Sequence, residues 1–514
     1  MIDRGRRIAI RYLKGDTMAG RLRWIDHITI NIYWLGINIA SGIITPVLLP
    51  YLVVLFMPPE QKNTYLAQVR VFGLAVAMLV QPVAGMLSDR TTSHWGRRRP
   101  YICAGALFNI LFLGIIGAST AFIGSALDSF FQSAFGVSAA YAVLVGGVVL
   151  LQISSNVGHG ALQGLIPDLV PEDQRGQASG VKAVMELVPV FLVLGIGPLV
   201  DAGRVWLTIG IIMASFPITM LVTLLTVHEA PLQEKPDAPI AEPILRLVAL
   251  TVIFIAVTRA AIWLVSASGT WLTQRDAALG LTIALVGTAG LIAMAGSILL
   301  GVYFGAWVGI GKEAPRQTGF IWWVVNRLLF LAAVGSIQGF AQYFLSDVLH
   351  IPNAATMTSV LLGGVAVFLI PSALIGGRMA DRVGRVRLVA LAGLVAAGGT
   401  ALLLFSTNMP MVVVSGCIIG TGAGIFMATN WALGTDLAPA GEAGRYLGIS
   451  NLAGAGAGIV GAGIGGPMAD SFNALQPGLG YLVIFAIYGA LFLLSTATLA
   501  LVGEPARRRH VVRK

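Results

Sequence analysis

Lys182 and Glu186 stand four residues apart in 176–200, a stretch whose other residues are mostly apolar. On a helix that spacing is one turn, so the two side chains meet. Desolvation makes a carboxyl group hold its proton, and a neighbouring ammonium makes it release one. A group balanced in that way can be tipped by a ligand or by a movement, which is what a proton carrier requires. Glu186 is therefore read as the proton carrier and Lys182 as its partner, with a static buried ion pair as the competing reading. Pro189 follows three residues later and predicts a kink. His159 is the second proton candidate, and Asp26 is assigned to the membrane interface.

Polar residues on other apolar stretches supply the rest of a site. Asn31, Trp34, Asn38 and Thr45 share a helical face within 25–56. Asn156, His159 and Gln163 follow at i, i+3 and i+7 within 139–166. Arg327, Gln338, Gln342 and Tyr343 lie in 319–346, and Asn430 and Trp431 in 411–434. Amides beside aromatic rings suit a neutral polyol, which needs many hydrogen bonds and a ring to stack on its apolar face. The alternative for each amide is hydrogen bonding between neighbouring helices.

The elements that must hold these residues are membrane helices. The chain has 514 residues, is 56% hydrophobic and 11% charged, and has a mean hydropathy of +0.84. Apolar runs long enough to cross a bilayer recur along it, which predicts an all-α membrane protein with fourteen spans and argues against a β-barrel. The net charge of +10 is topological. With both termini cytoplasmic, most Lys and Arg fall on the cytoplasmic side, so no nucleic-acid partner is expected. Cys103 and Cys417 lie inside spans, so neither a disulfide framework nor a metal site is expected. "GAGIVG" (456–461) reads as close helix packing, not a dinucleotide loop, and "GAWVGIGKE" (305–313) fails the phosphate-loop pattern at Ala306 and Glu313. No cofactor, ATPase module or enzymatic activity is expected.

Residues 80–102, "VQPVAGMLSDRTTSHWGRRRPYI", wedge a charge knot between two apolar runs, and "GGRMADRVGRVR" (376–387) repeats it. Gly85, Asp89, Arg90, Gly96 and Arg97 answer Gly377, Asp381, Arg382, Gly384 and Arg385. Farther on, "DLVPEDQRGQASGV" (168–181) matches "DLAPAGEAGRYLGI" (436–449) in register. A sequence that repeats itself at corresponding loops is built from two six-helix bundles. The organisation expected is a basic cytoplasmic tail (1–24), a first bundle (25–227), a cytoplasmic linker (228–245), an inserted two-helix hairpin (246–318), a second bundle (319–502) and a basic cytoplasmic tail (503–514). Asp89 and the Arg97–Arg99 cluster read as a conformational latch, since an acid adds nothing to the topological bias that would by itself place arginines there. The latch set is Gly85, Asp89, Arg90, Gly96, Arg97, Gly377, Asp381, Arg382 and Arg385.

These motifs carry a resemblance. Two six-helix halves with this loop after the second span resemble the major facilitator superfamily. The string from Val80 to Ile102, with "NVGHGALQGLIPDL" (156–169), is similar to its glycoside-pentoside-hexuronide branch, in particular to sucrose/proton symporter-like members. The resemblance implies a secondary transporter of the inner or plasma membrane, moving a sugar or glycoside with a proton by alternating access of two bundles. Its implied partners are that small molecule, the proton and membrane lipid. Melibiose-type members carry two aspartates where this chain has Ala77 and Gln81, so sodium coupling there is not expected. Plant members usually have an arginine where Gln163 stands. The inserted pair (246–268 and 281–308) lies outside the usual twelve-helix pattern, and its lone Arg259 could face a headgroup, a partner or the bundle. Two other functions stay open: an exporter or carrier of a drug-like or lipid-like solute, and a non-transporting assembly or sensor protein.

Overall fold

A computed structural model of the chain describes residues 22–229, 231–232, 241–273, 278–310, 317–437 and 443–503. Nearly all of both expected basic tails and half of the expected linker lie outside the described residues. Thirteen helices or helix pairs are long and apolar enough to cross a membrane. The fourteenth expected run, 447–469, falls within another helix of 33 residues, Ala443–Leu475. No strand occurs among the described residues.

Contacts divide the chain into two compact units, Met1–Val248 with Ile351–Gly363, and Ala249–His350 with Gly364–Lys514. In the first unit the opening span is α1 (Trp24–Ile43), a π-helical turn at Ile44–Leu48 and α2 (Leu49–Phe56). Pro46 and Pro50 lack the N–H groups that regular i→i−4 bonding needs there, which accounts for the widened turn. Then come α3 (Lys62–Ser88), α4 (Arg99–Ala118), α5 (Ala126–Phe135), α6 (Ala139–Leu162), α7 (Leu165–Leu169), α8 (Arg175–Leu187), α9 (Pro189–Asp201) and α10 (Val205–Thr226). The expected kink is a break between α8 and α9 at Pro189. Helix α6 packs on α3 and α4 backbone to backbone: a Cβ on Gly105 would lie 2.8 Å from Ser154 O, and one on Gly160 would lie 3.0 Å from Gly85 N. Small residues replace hydrophobic burial as the means of bringing helices together in lipid.

The second unit contains the inserted pair α11 (Ala241–Thr273) and α12 (Leu279–Ile310), then α13 (Thr318–Asp347), α14 (Ala354–Val383), α15 (Arg385–Leu404), α16 (Met409–Leu437), α17 (Ala443–Leu475) and α18 (Leu479–Val502). The start of α11 and of α14 belongs to the first unit. There Asp201, ending α9, caps α14: its carboxylate accepts from the N–H of Ala355 at 3.2 Å and of Thr356 at 2.7 Å, and from the Thr356 hydroxyl at 2.5 Å. Within the second unit α13 is the most buried span, packed by α17 and α18. The inserted pair docks here as well. Phe254 of α11 fills the space a side chain would need at Gly301 of α12 and Gly456 of α17, so "GAGIVG" does serve helix packing. A cavity of about 310 Å³ remains between α11, α12 and α17, walled by Val265, Val286, Ile464, Met468 and Phe472.

Between α4 and α6 the chain is held by one carboxylate. Asp128 accepts from the Ser138 hydroxyl at 2.7 Å, Ala139 N–H at 2.8 Å, Gly124 N–H at 3.1 Å and the Gln132 amide at 3.1 Å. The Ser138 hydroxyl, with these backbone donors, holds its carboxyl below the usual carboxylate value. A lowered value in the folded state stabilises above the unfolded pKa and ceases to as pH falls through the folded one. Asp128→Asn should therefore lower the melting temperature at neutral pH. The lead of the unmodified protein should shrink as pH falls from about 5 toward about 3, followed by thermal unfolding in detergent.

Candidate substrate and proton site

In the first unit four of the residues singled out converge around one indole. Trp34 on α1 is buried, and the His159 ring on α6 meets it edge-on with centroids 4.8 Å apart. Gln163 Nε2 lies 3.3 Å from His159 Nε2. From α8, Lys182 Nζ sits 4.1 Å from the centre of a Trp34 ring, a cation–π geometry, and 3.3 Å from Glu186 Oε1. Lys182 and Glu186 each keep about a third of their side chains exposed, so the pair is reachable and not sealed. Trp34 Nε1 is buried without a hydrogen-bond partner. Three helices thus bring together a free indole donor, an aromatic face, a titratable ring and a titratable ion pair.

The three asparagines behave differently. Asn31 donates to His27 O at 2.9 Å and to Ala178 O at 3.2 Å, tying α1 to α8. Asn38 donates to Trp34 O at 2.8 Å and Asn156 to Gln152 O at 2.8 Å, each along its own helix. Their amide donors serve helix structure, the alternative that spacing alone could not rank below ligand binding.

The second unit holds a chain of polar contacts centred on a residue that the sequence placed on this span only as one polar group among several. Arg327 on α13 is 9% exposed, donates from Nη1 to Asn430 Oδ1 at 3.2 Å and lies 5.1 Å from the Trp431 ring on α16. Asn430 Nδ2 donates to Asn326 Oδ1 at 2.8 Å, and Asn326 Nδ2 donates to the Ser495 carbonyl at 2.7 Å. Trp323 Nε1 donates to Asn430 O at 2.9 Å. Among the described residues no carboxylate lies within ion-pair distance of Arg327, and its Nε is buried without an acceptor. Gln338 is exposed, while Gln342 and Tyr343 are buried.

The charge knot resolves into a network inside the first unit, centred on Arg98. Its side chain, 6% exposed, pairs with Asp89, meets Asp168 at 3.0 Å through Nε and donates to the Ser88 hydroxyl at 2.5 Å. Arg97 reaches the other Asp168 oxygen at 2.5 Å. Glu229, just past α10, closes the knot by accepting from the N–H groups of Arg98 at 2.9 Å and Arg99 at 3.1 Å, the unpaired donors at the start of α4. Burial pushes its carboxyl above the usual range, against those two backbone donors and Arg98. Nothing local in the sequence announces Glu229, which is 131 residues from its first partner. The second unit keeps a reduced version: Arg385 meets Asp436 at 2.6 Å and donates to Ala432 O at 2.6 Å. Gly96 and Gly384, directly before the arginines, share an unusual backbone at φ +98° and +99° that only glycine adopts freely. Gly85 and Gly377 lie on α3 and α14, and Arg382 is exposed. The Asp381 side chain lies outside the described residues.

The two knots should differ in cost. Asp168→Asn leaves two guanidinium groups short of their shared acceptor and should cost about 2–4 kcal/mol. Asp436→Asn breaks a more exposed pair, 28% and 42% accessible, and should cost roughly 0–1 kcal/mol in the same reversible unfolding measurement in mixed micelles.

Comparison with known proteins follows the same lines. Residues 323–514 match the family model of the Major Facilitator Superfamily. Sucrose transport protein SUT1 of Oryza sativa subsp. japonica is 38% identical over 113 residues, 21% of this chain and 21% of that one. The minor myo-inositol transporter IolF of Bacillus subtilis (strain 168) is 34% identical over 103 residues, 20% of this chain and 24% of the other. The chain thus spans about a fifth of the length of the curated relatives it matches. The crystal structure of a D-xylose-proton symporter aligns over 94% of this chain and 99% of its own with a TM-score of 0.61 at 15% identity, a likeness of fold. The chain is thus a multi-pass membrane protein that shares the fold of that symporter, and its residues 323–514 are similar to the Major Facilitator Superfamily.

Proposed function

We propose that the chain is a secondary active transporter, working by alternating access, that carries a sugar or related polyol together with a proton across the cell membrane, with both termini cytoplasmic. The observation that carries this reading is the convergence of Lys182, Glu186 and His159 on the Trp34 indole. A sugar presents hydroxyls that accept from Trp34 Nε1 and a C–H face that stacks on an aromatic ring. Lys182 now shares its charge between that ring and Glu186, so a substrate settling on the indole competes for the ammonium and weakens its hold on the carboxylate. Protonation of Glu186 then accompanies binding, and release of both follows together. The names of the relatives, sucrose and myo-inositol transporters, agree in the class of cargo.

Full-length protein in proteoliposomes, given labelled sucrose and myo-inositol with and without an inward proton gradient, tests the reading. Gradient-driven accumulation that collapses with an uncoupler is expected; counterflow unaffected by pH, or no flux at all, would overturn proton coupling or sugar transport respectively. Glu186→Gln should abolish accumulation and spare exchange, since the neutral amide mimics the protonated carrier, and unchanged accumulation would remove Glu186 from the coupling role. Trp34→Phe keeps the ring and removes the donor. It should weaken sugar binding by about tenfold while leaving the pH dependence of transport in place.

A further inference from the structure

The inserted helix α11 carries Arg259 on an exposed face that no described residue of its own unit covers. Its packed stripe, Leu250, Phe254, Thr258, Ala261 and Val265, is buried. Phe254 presses on α12 and α17. Val252, Ala256, Arg259, Ala260 and Trp263 form the opposite stripe and are all exposed. Arg259 has no ion pair, hydrogen bond or ring contact with any described residue, so of the three destinations open to it in the sequence, the bundle is excluded.

Depth separates the other two. The exposed Arg246–Glu242 pair marks one watery end of α11, and the exposed Trp271 suits the interfacial level at the other. Arg259 lies thirteen residues past Arg246 and twelve before Trp271, about 20 Å and about 18 Å along the axis. An arginine stem, five bonds of about 1.5 Å, covers less than half of either distance, so a headgroup phosphate is out of reach without deforming the bilayer. Unpaired charge at mid-bilayer is costly, and intramembrane arginines normally face a protein interior or pair with an acid. A second copy of this chain does not meet the need: a twofold contact through this stripe sets Arg259 against Arg259, and Glu186, an acid within a span, is already engaged by Lys182. Ala256 and Ala260, one turn apart beside the arginine, remove bulk where another helix backbone would approach.

We propose that this stripe of α11 is a docking surface for a transmembrane helix of another protein bearing an aspartate or glutamate at the same depth. The carboxylate accepts two parallel N–H bonds from Arg259 while the partner backbone rests on Ala256 and Ala260 and against Trp263. The surface is independent of the sugar site, so this proposal and the transport reading can fail separately.

The test uses full-length protein in lipid nanodiscs and dye-labelled model peptides of a polyleucine span with a central Asp or a central Leu. Energy transfer should show the Asp peptide associating at least tenfold more tightly than the Leu peptide. Arg259→Leu, which makes the helix more apolar and should leave melting temperature and sugar uptake unchanged, should erase that difference. Arg259→Glu should transfer the preference to a peptide with a central Lys. Equal binding of the Asp and Leu peptides would overturn the proposal, as would discrimination that survives in Arg259→Leu. So would an Arg259→Leu phenotype confined to lost binding of phosphatidylglycerol, which would assign the arginine to a lipid headgroup.

Discussion

Hydrocarbon offers no hydrogen bonds, and most of this chain's architecture follows from that single lack. Polar side chains within the spans must find partners in the protein, and most do so in short local circuits. Asn31 ties α1 to α8, Ser154 donates to Asn109 at 2.5 Å between α6 and α4, and Asn326 closes on Ser495 between α13 and α18. Against that background an unsatisfied group carries information. Trp34 Nε1 in the first unit and Arg327 Nε in the second are two of several buried donors without acceptors, and each of these two sits beside aromatic and amide groups.

The same lack governs how helices approach. With lipid tails as apolar as leucine, burying leucine gains little, so the close contacts fall to glycine. Gly105 and Gly160 let α6 lie against the backbones of α4 and α3, which fixes the height at which His159 meets Trp34. Lys182 arrives from α8, whose end at Pro189 leaves the last turn before the break carrying Glu186. Positioning thus rests on three glycine or proline features, none of which touches the site.

The sequence made the large features legible because each has a strong local signal: long apolar runs, a duplicated Asp-Arg and Gly-Arg loop, an i,i+4 ion pair. It placed Trp34, His159, Gln163, Lys182 and Glu186 on faces that do meet. It could not tell which way an amide donates, because Asn38 and Asn156 on a helix reach a backbone carbonyl one turn back as readily as a ligand. Nor could it find Glu229 or single out Arg98 from Arg97 and Arg99. Their roles depend on where α10 ends relative to the start of α4, a tertiary fact with no local periodicity. The latch residues were expected to meet within or between bundles. Asp89, Arg97, Arg98, Asp168 and Glu229 all meet inside the first unit, which makes the knot a brace for the loops of that unit.

Comparing the two repeats shows which parts tolerate divergence. The φ angles at Gly96 and Gly384 agree to within a degree, and after each glycine an arginine meets an aspartate, Asp168 in α7 and Asp436 near the end of α16. That geometry precedes the start of α4 and of α15, so a change there alters the direction in which each of these helices sets out. Side chains within the spans are freer, since the helices that carry them stand without them. The first unit carries the Lys182–Glu186 pair on α8, each side chain about a third exposed. The second carries Arg327 on α13, held by Asn430 and Trp431 with no carboxylate within ion-pair distance among the described residues. The two units thus carry different charged groups within their spans, an ion pair in the first and a guanidinium held by an amide and a ring in the second.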